Sequence, residues 1–112
     1  MINELRIYDI PRDNAEPFLN RFRDYAAPML GEYGMRILAM WTADCEDALR
    51  FVYLLAWDDE AQAKAAWAEF AKDEEWKRIK AETAAEHGTM VDVVNGMTLV
   101  PTDFSAALGG ET

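Results

Sequence analysis

The sequence predicts an α+β fold, a ferredoxin-like βαββαβ antiparallel sheet with its helices on one face. Three observations predict it. Ile2 to Asp9 alternates with a two-residue period, a strand signal. Ala15 to Tyr33 then carries apolar side chains at three-and-four spacing, a helix signal. Leu49 to Trp57 is apolar at nearly every position, which a half-exposed antiparallel strand should not be.

In the first strand Leu5 and Ile7 point one way, and Glu4, Arg6 and Tyr8 the other. Pro11 ends it, and Asp13 or Asn14 can cap the helix that follows. Along that helix Phe18, Leu19, Phe22, Met29 and Leu30 form the apolar stripe. Pro17 sits in the first turn, where its missing N–H costs little. Pro28 lies deeper and should kink or break the last turns. Gly34 suits a left-handed terminating position. Met35 to Thr42 reads as the second strand. The polar turn Asp44-Cys45-Glu46-Asp47 joins it to Leu49–Trp57 as an antiparallel hairpin.

The second helical region starts at Asp58 and Asp59, with Asp59 and Gln62 at capping-box spacing, and runs to about Lys72. Asp73 reads as a fresh cap before Trp76, Ile79 and Thr83, so one bent helix or two are expected up to His87 and Gly88. The last strand is about Met90 to Val100, with Asn95-Gly96 as a tight turn or a bulge. Residues 1–105 are expected to form a single domain, with 106–112 as a frayed C-terminal tail.

With 112 residues there is room for one domain. Twenty-one acidic residues against eleven basic ones give a net charge of -10, a poor match for nucleic acid or an anionic membrane surface. No run approaches the roughly 18 apolar residues that span a bilayer, and the N-terminus lacks a secretory pattern. One cysteine allows no internal disulfide, in keeping with a cytoplasmic location.

Two helices cover one face of such a sheet. Phe51, Tyr53, Leu55 and Trp57 oppose Val52, Leu54 and Ala56 on the third strand, and both sets are apolar. A second copy packing sheet against sheet would bury the other set, so the expected partner is the protein itself, as a homodimer. The rival is a monomer covered by its own C-terminal segment, but Asp103 to Leu108 is too short for that.

Glu4-Leu5-Arg6-x-Tyr8, Ala39-Met40-Trp41-Thr42 after Gly34, Asp73-Glu74-Glu75-Trp76 and Leu99-Val100-Pro101-Thr102-Asp103-Phe104-Ser105 together resemble the motifs of the NIPSNAP family, in the dimeric α+β barrel superfamily. The resemblance spans nearly the whole chain. Glu74 replaces that family's proline, and Tyr53 stands where the family often has histidine, so no role needing imidazole there is available. The resemblance implies the ferredoxin-like fold and the dimer. It does not imply a reaction. Members mostly lack an assigned activity, and the superfamily includes cofactor-free monooxygenases, isomerases, haem enzymes and ligand-binding domains.

Glu4, Arg6 and Tyr8 are a polar trio among apolar residues. If Leu5 and Ile7 pack on the helices, the trio enters the space between two facing sheets. Trp41, Phe51, Tyr53 and Trp57 are expected to line the same space. Glu4 or Asp92 could pair Arg6 in an ion pair that merely fixes register. The functional expectation is a mostly apolar pocket in each subunit, between sheet and helices. It would bind a small organic ligand, with Arg6 on an oxyanion or carbonyl and Tyr8 donating a hydrogen bond. The alternative is a cofactor-independent monooxygenase or isomerase of a phenolic or enolisable molecule, with Tyr8, Tyr53 or Glu4 as proton carrier. A third reading is an interaction module with a filled interior. No cofactor is expected. The single histidine, His87, reads as a helix-end residue and offers no metal site. Cys45, among acidic neighbours, does not read as a nucleophile.

Overall fold

In a computed structural model that describes residues 1–106 and 108, the apolar third strand ends up covered on one face by the chain's own helices. The element order is β1 (Ile2–Ile10), α1 (Ala15–Arg21), α2 (Ala27–Glu32), β2 (Arg36–Asp44), β3 (Leu49–Trp57), α3 (Glu60–Ala71), α4 (Glu74–His87) and β4 (Val93–Leu99). The sheet is four-stranded and antiparallel in the order β2-β3-β1-β4, with hairpin partners β2 and β3 adjacent and β1 central. The tail expected at 106–112 falls outside the described residues except for Ala106 and Leu108.

Local chemistry explains the helix boundaries. A 3-10 turn at Arg12–Asn14 leads into α1. A π-helical turn at Phe22–Ala26 joins α1 to α2, where the Ala27 N–H reaches back to the Phe22 carbonyl. Pro28 explains the widening. In a regular ladder its ring would strike the carbonyl of Asp24, and it has no N–H to donate. The helix therefore widens ahead of the proline and continues to Glu32. Gly34, at φ 81°, closes it: Met35 N–H bonds the Leu30 carbonyl and Gly34 N–H the Gly31 carbonyl, a Schellman ending.

Of the two arrangements expected after Asp58, the chain forms two separate helices. The Asp59 carboxylate accepts from Gln62 N–H at 2.8 Å, and Asp73 accepts from Trp76 N–H at 2.8 Å. Each cap starts its own helix, and α3 stops at Ala71 because Asp73 restarts the chain.

β4 is shorter than Met90–Val100, and Asn95-Gly96 is neither a turn nor a bulge. The pairing Asn3↔Leu99 runs without interruption to Asp9↔Val93, and Gly96 lies opposite Arg6. The glycine is there for side-chain room.

The core lies between the sheet and the helices. Phe18, Phe22, Leu30, Phe51, Tyr53, Leu55, Trp57, Phe70 and Ile79 are buried there. The opposite face carries cross-sheet rows Ala39–Leu54–Leu5–Met97 and Trp41–Val52–Ile7–Asn95. It is apolar and open: Trp41 is 51% exposed and Met97 47%. Phe104 in the C-terminal segment is itself 86% exposed. No helix among the described residues is long and apolar enough to cross a membrane.

Candidate functional site

β1 carries the polar trio to the helix-covered face, contrary to its expected place between two sheets. Register is the reason. Glu4 pairs with Leu55, Arg6 with Tyr53 and Tyr8 with Phe51, and directly opposed residues in an antiparallel pair share a face. The large side chains of β3 go beneath the helices, where they bury most area, and take the trio with them. Leu5 and Ile7 are left on the open face.

Phe51, Tyr53 and Trp57, also expected between two sheets, lie beneath the helices as well, and Trp41, expected beside them, does not. It lies on the open face, away from Phe51, Tyr53 and Trp57. A β-bulge between Ile37 and Ala39 shifts the register, so Ile37 and Met40 face the helices and Trp41 does not. One inserted residue reverses every later side chain.

A cavity of about 760 Å³ opens between sheet and helices. Of the expected residues Arg6, Tyr8 and Tyr53 line it, whereas Glu4, Phe51 and Trp57 stand behind them. Glu4 Oε1 accepts from the indole N–H groups of Trp57 and Trp67, both at 2.9 Å. Its Oε2 lies 3.5 Å from Arg6 Nη1. Glu4 thus ties β1, β3 and α3 together and balances the arginine. Phe51 packs edge-on to Phe18 at 5.2 Å and tilted against Phe22 at 4.6 Å.

The Arg6 guanidinium stacks over the Trp67 ring, 4.3 Å from its centroid. Its Nη2 donates to Tyr8 Oη at 3.3 Å. Tyr8 and Tyr53 share a 2.6 Å hydroxyl hydrogen bond. Burial disfavours the Arg6 charge, but the Tyr8 and Tyr53 oxygens outweigh it and hold the group above its ordinary value. Burial, then Tyr8, pushes the Tyr53 phenol well above its ordinary value, so it stays protonated. Arg6 Nε is buried with no partner among the described residues, a local cost accepted in holding a cation here.

Trp67, Phe70 and Trp76 from the second helical region also line the cavity. Two cations that line it were missed outright, Arg21 from α1 and Lys80 from α4. Arg21 carried a signal, because it sits in the apolar stripe three residues after Phe18 and four before Tyr25. Lys80 carried none. Neither His87 nor any carboxylate lines the cavity among the described residues.

The same architecture occurs in known structures. An uncharacterized NIPSNAP domain protein from Burkholderia xenovorans is 24% identical, with 94% of this chain and 98% of that chain covered at a TM-score of 0.77. A NIPSNAP family protein from Agrobacterium tumefaciens is 17% identical, with 93% and 95% covered at 0.79. A putative antibiotic biosynthesis monooxygenase from Nitrosomonas europaea is 17% identical, with 90% and 98% covered at 0.60. Identities this low carry the fold alone. None of the curated proteins matches the chain. The NIPSNAP family model matches residues 3–106, which takes in every strand and helix described above apart from the first residue of β1, and on that match the chain belongs to the NIPSNAP family.

Proposed function

We propose that this protein is a homodimeric domain that binds a small organic ligand in the cavity between sheet and helices, through Arg6 and Tyr8. One observation carries the reading: a charged guanidinium and a phenol face an aromatic-walled cavity of about 760 Å³, within the size range of small-molecule sites. Tyr8 Oη already accepts from Arg6. With Tyr53 donating to it as well, Tyr8 keeps its own proton for a ligand oxygen. Glu4 and Trp67 hold Arg6 from behind, so little order is lost on binding. The open sheet face supports the dimer, because Trp41, Met97 and Leu99 would lose their exposed apolar area against a second copy.

Tryptophan fluorescence reports ligand entry, since Trp67 and Trp76 line the cavity. A panel of small aromatic carbonyl and carboxylate compounds is expected to contain quenchers for the wild type. Arg6→Ala should weaken them at least about tenfold while leaving the oligomeric state unchanged. Equal quenching by Arg6→Ala would sink the reading.

The monooxygenase or isomerase alternative draws on the Tyr8–Tyr53–Arg6 cluster and on the fold shared with the Nitrosomonas europaea protein. It needs a proton acceptor. The raised Tyr53 phenol disfavours that residue as a base at neutral pH, and Glu4 is engaged by two indoles. Oxygen uptake with hydroxylated aromatics would select this alternative over binding alone.

A further inference from the structure

Carboxylates outnumber cations in this chain by 21 to 11, and most cations are paired: Arg12, Arg23, Arg36 and Arg50 each meet an aspartate. Among the described lysines and arginines only Arg21, Lys64 and Lys80 have no carboxylate within salt-bridge distance. Two of those three line the same cavity, which no carboxylate lines. Arg21 also borders a second cleft that holds Asp13, Glu16 and Asp24, and it forms an ion pair with none of them.

Arg21 and Lys80 come from different helices to one indole. The Arg21 guanidinium carbon is 5.1 Å from the Trp76 ring centroid, and Lys80 Nζ is 6.0 Å from it. Arg21 is 8% exposed, and its hydrogen bond to Thr83 Oγ1, 2.8 Å from Nη1, leaves most of its five N–H groups without a partner among the described residues. Burial lowers its pKa, as expected for a cation short of a counter-charge. Two cations on one ring repel each other, and an anion between them would relieve that repulsion and take up the free donors.

We propose that the cavity selects an amphipathic monoanion, whose oxyanion sits between Arg21 and Lys80 over Trp76 while its apolar body lies along Phe22, Phe70 and Trp67. The proposal rests on the reading that this cavity binds a ligand, and it adds the ligand's charge and a second anchoring point remote in sequence from Arg6. An inorganic anion alone would leave the aromatic wall wet, and a neutral aromatic would leave the two cations uncompensated.

Two dyes separate these cases. 1-Anilinonaphthalene-8-sulfonate and N-phenyl-1-naphthylamine share one aromatic frame and differ by a sulfonate. Titrated into the full chain and followed by fluorescence enhancement, the sulfonate is expected to bind at least about tenfold more tightly, against the chain's net charge of -10. Lys80 is exposed, so its variants keep the fold. Lys80→Glu should weaken the sulfonate about tenfold and leave the neutral dye within about twofold. Ala84→Trp, which plugs the rim, should remove both. Equal affinity of the two dyes for wild type, or sulfonate binding unmoved by Lys80→Glu or by Ala84→Trp, overturns the proposal. If the neutral dye binds in the cavity and the sulfonate is no tighter, the cavity reading survives and the anion falls. If neither dye binds, both fall.

Discussion

The hydroxyl of Tyr8 lies 2.6 Å from that of Tyr53, and their rings meet edge to face with centroids 5.5 Å apart. Tyr53 is fully buried, and Tyr8 reaches the cavity. Tyr53→Phe removes this bond and leaves the packing, so it should cost about 0.5–1.5 kcal/mol in urea unfolding. Tyr8→Phe should cost a similar amount of stability and also weaken ligand quenching of tryptophan. If Tyr53→Phe weakened binding more than Tyr8→Phe, the donor order assigned to the pair would be wrong.

Glu4→Leu is expected to be worse for stability than any change at the cavity rim. It leaves the indole N–H groups of Trp57 and Trp67 without their acceptor and Arg6 without its carboxylate. A loss of about 2–4 kcal/mol is expected. Glu4→Gln keeps an acceptor for the indoles and should retain more than half of that stability. Chemical denaturation of the pair checks the difference.

Gly96→Ala tests how finely Arg6 is placed. A Cβ at Gly96 would lie 3.0 Å from Arg6 Nη1 and 3.4 Å from Glu4 Oε2. The obstructing groups are flexible side-chain ends, so the sheet should survive with less than about 1 kcal/mol lost. Ligand affinity should fall several-fold because the guanidinium must swing off Trp67. Unchanged affinity would show that Arg6 has no fixed position in binding.

The open sheet face predicts the oligomeric state. Trp41→Arg or Met97→Glu places charge amid the rows Trp41–Val52–Ile7 and Leu54–Leu5–Met97. Light scattering at micromolar concentration should find wild type as a dimer and both variants shifted to monomer. A monomeric wild type would refute the dimer without touching the cavity.

Acid should loosen the start of α4. Asp73 accepts from Tyr33 Oη at 2.6 Å, and that bond, with the Trp76 N–H, holds its pKa below the ordinary 3.8. The folded value is depressed, so the stabilisation is complete above 3.8 and disappears as pH falls through the folded pKa. The same bond raises Tyr33 to about 12. Tyr33→Phe should therefore move the acid unfolding midpoint upward, read by circular dichroism between pH 2 and 5.

The sequence by itself determined the order of elements, because period-two and period-3.6 patterns are local. It also determined the caps at Asp59 and Asp73, the stop at Gly34, and the excess of apolar surface on the third strand. It marked Glu4, Arg6 and Tyr8 as neighbours on one side of a strand. Only the tertiary structure decided which side that was. Both faces of β3 are apolar, so periodicity gave no preference, and the choice fell to the volume that packs under the helices and to the β1–β3 register. A bulge of one residue sent Trp41 to the other face from Tyr53. The meeting of Arg21 and Lys80 at Trp76 likewise depends on how helices far apart in sequence pack, and that is a property of contacts which no local pattern records.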